Sequence, residues 1–277
     1  MGQPDFLVIG HVAKDLVGDG YRLGGTAAYS ALTARNLGRS VGVVTSAGAD
    51  LQLGDLWSGI DLICLPSPVT TTFANVYGAE QRQQHIKAVA ERICQDSIPS
   101  KWIRTPVVHL GPIAGEFGEE MIGLFPSSLV GLTPQGWLRR WDERGRVSPK
   151  EWSRASEFLP GVQALIVSEE DLRGPAGTLR TLLGLPRMAV VTGGRDGATL
   201  HYQGETIHCA PRQTQALDPT GAGDVFAAAF LVRLDETDDP YQAARFANVA
   251  ASLSVERAGI ESAPQRSHIE SHLKDTP

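Results

Sequence analysis

The stretch Asp218-Pro219-Thr220-Gly221-Ala222-Gly223-Asp224 leads directly into an apolar run over 225–230. This order predicts a small-residue loop and a carboxylate at the start of a helix. Small residues let backbone N–H groups converge on an anion, and the helix dipole favours negative charge at that end. Asp224 would repel a phosphate, so we interpret it as a base that takes a proton from an attacking hydroxyl. The alternative is a plain Gly-rich turn in which Asp224 caps the helix.

A second Gly-led helix is predicted near the N-terminus, in the stretch Gly24-Gly25-Thr26-Ala27-Ala28-Tyr29-Ser30-Ala31-Leu32-Thr33-Ala34-Arg35-Asn36-Leu37-Gly38. It reads as a Gly-Gly turn, a helix and a terminating glycine. The two segments together resemble the two signatures of the ribokinase-like (PfkB) carbohydrate kinase family, in order and in spacing. That resemblance implies an ATP-dependent kinase with Asp224 as general base and the Gly221, Ala222 and Gly223 amides as an anion hole.

Size and charge limit the other classes of function. The chain has 277 residues and a formal net charge of −6, with no basic stripe that could follow a nucleic-acid backbone. No run of eighteen apolar residues and no basic leader are present, so we expect a soluble cytoplasmic protein that is a monomer or a homodimer. The length favours one domain over 1–277, with lid segments at about 12–23 and 68–90. Three widely spaced cysteines are interpreted as reduced packing thiols.

The distribution of apolar residues predicts an α/β fold. Short apolar runs occur at 6–9, 41–45, 60–65, 107–110, 129–132, 164–167 and 189–192, followed by a hairpin over 198–202 and 206–209. Near-continuous apolar strands are typical of a mostly parallel sheet covered on both faces. Helices are predicted over 115–124, 149–158, 169–183, 222–234 and 240–257. The family resemblance implies a three-layer α/β/α sandwich, in which the segments that break the alternation form a small β-lid.

The same resemblance places the acceptor at Asp15, just after the first strand, and at Gly24 and Gly25. Family members commonly carry asparagines where this chain has Ala13 and Tyr29. Tyr29 and the stretch Thr133-Pro134-Gln135-Gly136-Trp137-Leu138-Arg139 look more like the inositol-kinase branch. We therefore expect a cyclic polyol such as myo-inositol, with Tyr29 and Gln135 also in contact with it. A nucleoside or ketose/ribose kinase, and a non-catalytic sugar- or nucleotide-binding regulator, remain alternatives.

For the donor, the resemblance implies an ATP site formed by Thr192, Gly194, Gly197, Thr220 and Asn248. The alternatives are a plain glycine turn at 193–197 and an ordinary Ala-rich packed helix around Asn248. The chain has no Gly-x-x-x-x-Gly-Lys-Ser/Thr loop, and no strand leads into Gly-x-Gly-x-x-Gly, which argues against a P-loop enzyme and a dinucleotide dehydrogenase.

Magnesium is expected because the donor phosphates must be drawn together and their charge reduced. The family's metal-linked Asn-x-x-Glu aligns with Ser168-Glu169-Glu170-Asp171, so Glu170 and Asp171 are the candidate ligands, directly or through water. The alternative is purely structural: Ser168 caps a helix and Asp171 lies in its first turn.

Overall fold

The computed structural model describes residues 2–77 and 82–273, and this part of the chain contains three sheets, of nine, four and two strands. Its strands are β1 (Phe6–Ile9), β2 (Ala13–Val17), β3 (Gly20–Gly24), β4 (Val41–Ala47), β5 (Ile60–Pro66), β6 (Thr72–Tyr77), β7 (Arg82–Ala88), β8 (Val107–Leu110), β9 (Leu129–Leu132), β10 (Arg139–Trp141), β11 (Val147–Pro149), β12 (Ala164–Ser168), β13 (Met188–Thr192), β14 (Ala198–Tyr202) and β15 (Glu205–Cys209). Its α-helices are α1 (Thr26–Asn36), α2 (Ala155–Phe158), α3 (Ala222–Thr237), α4 (Pro240–Ser254) and α5 (Arg266–Leu273).

The larger sheet has nine strands in the order β15-β14-β13-β12-β9-β8-β1-β4-β5. Neighbouring strands from β13 to β5 are parallel, and β14 and β15 add an antiparallel hairpin at one edge. Side chains of one strand alternate between two cores: Phe6 and Val8 enter one, Leu7 and Ile9 the other. Both faces are therefore covered, which explains why these strands are continuous apolar runs. The predicted α/β fold and its mostly parallel sheet are confirmed.

One face of the large sheet is covered by α-helices. The core on this side joins β1 and β4 to α1, α3 and α4, and it includes the stacked rings of Phe226 and Phe230. Helix α4 begins where the sequence indicates, because the Asp239 side chain accepts hydrogen bonds from the backbone of Tyr241 and Gln242 at 2.9 and 3.0 Å. The predicted helices at 222–234 and 240–257 are confirmed with shifts of three residues at their C-terminal ends.

The opposite face is covered by short helical turns and loops, where three longer helices were predicted. Over 115–124 the chain forms a 3₁₀ helix at Glu119–Leu124, over 149–158 only the single-turn α2, and over 169–183 a 3₁₀ helix at Gly174–Leu182. Glycines and prolines interrupt these segments and favour turns over α-helix. Aromatic side chains cover this face of the sheet instead, with the Trp137 ring packed against the rings of Phe117 and Trp152.

A separate four-stranded sheet has the order β3-β2-β6-β7. Strands β2 and β3 follow β1 directly, and β6 and β7 arise from the later excursion of the chain between β5 and β8. These are the two segments whose β-forming residues do not fit the α/β alternation. Residues 78–81, within the predicted lid segment 68–90, lie outside the described residues.

Among the described residues, no helix combines the length and the apolar composition needed to cross a membrane. The three cysteines are free thiols: Cys64 and Cys94 are exposed and Cys209 is buried.

Candidate active site

The N-terminal ends of α1 and α3 come together beside the sheet, and each begins at a glycine with positive φ. Gly25 has φ 84° and Gly221 has φ 78°, values that other residues rarely adopt. A Cβ at Gly25 would lie 2.5 Å from the His11 carbonyl oxygen, and one at Gly221 would collide with the Tyr29 ring. Only glycine therefore lets the two helix starts approach their neighbours this closely.

Asp224 lies in the first turn of α3 and is held by α1. Its Oδ1 accepts a 2.6 Å hydrogen bond from Thr26 Oγ1, and its backbone oxygen accepts a 3.3 Å bond from Ser30 Oγ. Burial raises the pKa of Asp224 to about 6, the Thr26 bond opposes that rise, and the negative charge of Asp171 adds to it. Such a carboxylate is a stronger base than an exposed aspartate.

Three further charged groups surround Asp224. The carboxylates of Asp171 and Asp15 raise its pKa, and the Arg139 guanidinium lowers it. Arg139 extends from β10, where one of its nitrogens lies 3.7 Å from Asp171 Oδ1 and another donates to Gln84 Oε1 at 3.0 Å. Arg139 thus connects the candidate site to strand β7 of the small sheet.

The predicted anion hole is the turn that precedes Asp224. Within it, the Thr220 amide donates to Asp218 Oδ1 at 3.0 Å and the Ala222 amide donates to the Pro219 oxygen at 3.2 Å. The Ala222 amide is therefore committed to the turn in this structure. The amides of Gly221 and Gly223 stay the predicted phosphate contacts.

The predicted acceptor residues Asp15, Gly24 and Gly25 are brought together. Asp15 lies on β2, and its carboxylate packs so closely against Gly24 on β3 that a Cβ there would collide with it. Gly25 follows at the start of α1. A carboxylate held against a glycine pair can accept hydrogen bonds from substrate hydroxyls, as the sequence predicts.

Tyr29 and Gln135, the other two predicted acceptor contacts, differ from each other in burial. Tyr29 is only 2% exposed, and its ring lies directly against Gly221. Burial, followed by the nearby charges of Asp15 and Asp218, raises the pKa of the Tyr29 hydroxyl, so it stays protonated. Gln135 is half-buried at the start of a 3₁₀ turn after β9. Their contact with an acceptor stays a prediction.

Of the predicted donor residues, Thr220 lies in the turn before α3, and the others lie at the end of β13, in the turn after it, and on α4. Gly194 and Gly197 have φ values of 60° and 81°, so this turn requires glycine. Asn248 is buried, and its side-chain nitrogen donates to the Cys209 and Ala210 oxygens at 2.9 and 3.3 Å. Asn248 therefore fixes the end of β15, and only its oxygen is left for the predicted contact with a base. Thr192 is half-buried at the end of β13, where its hydroxyl donates to the Val167 oxygen at 3.4 Å.

Two of the residues aligned with the metal-linked motif bond to each other in a turn, and the helix that Ser168 was expected to cap does not form, since the helical segment begins only at Gly174. Asp171 Oδ2 accepts from Ser168 Oγ at 2.7 Å, and Ser168 Oγ accepts from the Asp171 amide at 3.1 Å, while Glu170 is exposed. Within residues 2–77 and 82–273, no group of three or more His, Cys, Asp or Glu side chains could hold a metal ion. Asp171 fits a magnesium ion that is held mainly by donor phosphates and water, since such ions need only one or two carboxylates.

Glu116 is a buried residue that the sequence analysis did not single out. Its carboxylate accepts hydrogen bonds from the backbone amides of His11 at 2.8 Å, Ile113 at 2.9 Å and Ala114 at 2.8 Å. The loops after β1 and β8 are thereby joined next to Gly25. The only signal in the sequence is one acidic residue in the Gly- and Pro-containing loop 111–116, which does not reveal its partners.

Parts of the chain are similar in sequence to known proteins. The model of the pfkB family carbohydrate kinases matches residues 145–266. Inositol 3-kinase of Zea mays is 31% identical over 154 residues, which cover 54% of this chain and only 39% of that protein. Cytidine kinase of Thermococcus kodakarensis is 29% identical over 252 residues, which cover 82% of this chain and 87% of that protein.

The fold has a close structural counterpart. A pyrophosphate-dependent kinase in the ribokinase family, solved with a pyrophosphate analog and myo-inositol, superposes with a TM-score of 0.80 at 24% identity, covering 96% of this chain and 99% of that one. At this identity the likeness establishes the fold alone. Residues 145–266 are therefore similar to the pfkB family of carbohydrate kinases, and the fold as a whole is that of a kinase in the ribokinase family.

Proposed function

We propose that the protein transfers a phosphoryl group to a hydroxyl of a small sugar or cyclic polyol. The observation that carries the proposal is the position of Asp224, in the first turn of α3 directly after the Gly221–Gly223 turn and bonded to Thr26 at 2.6 Å. A base and an anion-binding turn are thereby adjacent on one helix end. This is the arrangement that phosphoryl transfer to an alcohol requires.

Asp224 is the general base in this proposal. Thr26 occupies its Oδ1, which leaves Oδ2 to take the proton of the acceptor hydroxyl. A pKa of about 6 leaves the carboxylate mostly ionised near neutral pH and yet more basic than an ordinary aspartate. The hydroxyl oxygen then attacks the terminal phosphorus of the donor while the bond to the leaving ADP, or to phosphate if the donor is pyrophosphate, breaks. The Gly221 and Gly223 amides stabilise the charge on the transferred group.

The leading acceptor is a cyclic polyol such as myo-inositol, bound by Asp15 with Gly24 and Gly25. The likeness to inositol 3-kinase and to the myo-inositol complex supports this choice, and the cytidine kinase match makes a nucleoside the second candidate. We propose that the β3-β2-β6-β7 sheet is a lid over this acceptor, within segments of about 12–23 and 68–90. A lid of this kind excludes water from the reacting phosphoryl group.

The proposed donor is ATP with Mg²⁺. Thr192, Gly194, Gly197 and Thr220 would lie beside the nucleotide, and Asp171 would face the metal. Bound magnesium would supply charge neutralisation on the donor phosphates. Because a structural counterpart uses pyrophosphate, the donor test includes pyrophosphate as a separate arm.

The test is a matrix of donors and acceptors with product detection by mass. Myo-inositol, ribose, fructose and cytidine are each incubated with MgATP or magnesium pyrophosphate, alongside Asp224→Asn and the matched control Asp238→Asn at the far end of α3. We expect a substrate-dependent phosphorylated product that falls by roughly 10²–10⁴ in kcat only in Asp224→Asn. Turnover of Asp224→Asn within tenfold of the parent would overturn the role of the base. Tight ligand binding with no product in any arm would favour the alternative of a non-catalytic sugar- or nucleotide-binding regulator.

A further inference from the structure

The buried side chain of His11 joins three parts of the chain that lie far apart in sequence. His11 is 0% exposed, its Nδ1 lies 2.7 Å from Thr71 Oγ1, and its Nε2 lies 3.0 Å from the Glu91 backbone oxygen. Thr71 immediately precedes β6, and Glu91 follows the end of β7 by three residues. One imidazole therefore holds both ends of the β6–β7 excursion.

The hydrogen bonds around His11 admit a single arrangement of protons for the neutral ring. A carbonyl oxygen only accepts, so Nε2 carries the hydrogen that is donated to Glu91. Nδ1 is then an acceptor and receives the hydroxyl hydrogen of Thr71. Thr71 Oγ1 in turn accepts from the Ala90 amide at 2.9 Å. Every polar atom in this buried chain of bonds has a partner, and removal of one member leaves others unsatisfied.

The backbone of His11 belongs to the rigid loops beside the candidate acceptor site. Its amide donates to Glu116 Oε1 at 2.8 Å, and the next amide, of Val12, donates to Thr45 Oγ1 at 2.8 Å. Its carbonyl oxygen packs against Gly25, where a Cβ would lie only 2.5 Å away. His11 thus has a fixed backbone at the Gly-Gly turn and a side chain that reaches the base of the small sheet.

Strand pairing carries this link to Asp15. Strand β2 pairs with β6 in parallel, with Asp15 opposite Phe73, and the Lys14 amide donates to the Thr71 oxygen at 2.8 Å. A displacement of the chain at Thr71 would therefore move β6 and, with it, the strand that carries Asp15. The contact between Asp15 and Gly24 depends on where β2 lies against β3, a pairing in which Ala13 is opposite Gly24.

We propose that His11 is a positioning residue for acceptor binding, which holds the base of the β6–β7 excursion so that Asp15 faces the Gly24–Gly25 turn. It acts through Thr71 and touches neither the acceptor nor the donor. The expected effect on acceptor binding rests on the proposed function. The claim that the His11 imidazole fixes the small sheet does not depend on that function.

The test compares Thr71→Val with Thr71→Ser. Valine has the shape of threonine but neither donates to Nδ1 of His11 nor accepts from Ala90, whereas serine retains both bonds. We expect Thr71→Val, which loses both bonds, to raise the acceptor KM about tenfold, with kcat and the donor KM within about twofold. Thr71→Ser should behave as the parent. A loss confined to kcat, or equal effects of valine and serine, would overturn the proposal.

A second variant and a measurement without substrate keep the two proposals separate. His11→Gln retains a donor for Glu91, lacks the ring acceptor for Thr71 and leaves the Thr71–Ala90 bond in place. It should therefore raise the acceptor KM by no more than Thr71→Val does, and the double variant should be no worse than Thr71→Val. Hydrogen exchange of the amides at 72–75 and 83–88 should become about tenfold faster in these variants, with the α3 amides unchanged. Unchanged exchange in the small sheet would overturn the role of His11, whatever the kinase assay shows. Faster exchange together with a negative kinase assay would count only against the proposed function. If Thr71→Val does not fold, His11→Gln decides by the same readouts.

Discussion

Thr26 Oγ1 donates a 2.6 Å hydrogen bond to Asp224 Oδ1 and so connects the first turns of α1 and α3, although the two residues are 198 positions apart in the chain. Thr26 is nearly inaccessible to solvent. The bond fixes one carboxylate oxygen and favours the ionised form of the carboxylate against the effect of burial. The two Gly-led segments thus form one site.

Replacement of Thr26 by valine should weaken the base in a defined way. The lost bond favoured the charged carboxylate, so its removal raises the pKa of Asp224. Since the base acts when ionised, the acid limb of the kcat–pH profile should move to higher pH, and kcat at neutral pH should fall roughly tenfold. Thr26→Ser retains the donor and should keep the parent profile. An acid limb at its original pH in Thr26→Val would contradict this account.

The charges around Asp224 should shift its titration in opposite directions. The parent should show an acid limb near pH 6. Arg139→Gln removes a cation that lowers the pKa, so its limb should move to higher pH. Asp171→Asn removes an anion that raises the pKa, so its limb should move to lower pH. The position of the limb is read separately from its height, because Asp171 is also proposed to face the metal of the donor. Shifts of the same sign would refute the assignment.

Asp224→Asn should stabilise the fold at neutral and alkaline pH. The pKa of Asp224 is higher in the folded state than its ordinary value of 3.8. Stability linked to this group is fully present below pH 3.8 and is lost as the pH rises through about 6. Asparagine carries no charge, so its advantage over the parent should appear between pH 4 and 7, with a size on the order of 1–2 kcal/mol after allowance for the partial exposure of the site. Urea unfolding of Asp224→Asn and of the parent at pH 4 and pH 8 measures this advantage. An equal difference in the free energy of unfolding at the two pH values would contradict the prediction.

The two glycines of the candidate anion hole should respond differently to alanine. Gly221 has φ 78° and lies against the Tyr29 ring, whereas a Cβ at Gly223 would meet no protein atom within 4 Å. We expect Gly221→Ala to lower the free energy of unfolding by roughly 2 kcal/mol or more, through strain and overpacking. Gly223→Ala should unfold like the parent. Equal stability of both variants in chemical denaturation would show that the turn can relax.

Glu116→Gln should destabilise the loops after β1 and β8. A glutamine offers one oxygen where the carboxylate has two, and its NH₂ group would face backbone amides that are themselves donors. The expected loss is about 2–4 kcal/mol, the size seen for a broken buried charged network. Glu120→Gln, on the exposed surface nearby, is the matched control and should be neutral within about 0.5 kcal/mol. A loss of less than 1 kcal/mol for Glu116→Gln would mean that water or a rearrangement replaces the carboxylate.

The strands were predictable because their information is local. Val107–Leu110 and Leu129–Leu132 are found at the predicted positions, since a strand buried on both faces leaves an unbroken apolar run in the sequence. The helices predicted over 115–124 and 169–183 were wrong, because apolar spacing alone does not reveal that Gly118 or Pro175 turns the chain away from an α-helix. There the packing of Trp137 and its neighbours covers the sheet without long helices.

The sequence by itself determined the α/β alternation, the two Gly-led helix starts and the position of Asp224 at one of them. Each depends on residues within a few positions of one another, through apolar periodicity and the backbone freedom of glycine. The tertiary structure alone decided that Thr26 holds Asp224, that Glu116 joins two loops and that His11 reaches Thr71 and Glu91. Such partners are chosen by the order of strands in the sheet, which brings together chain segments that no local pattern relates.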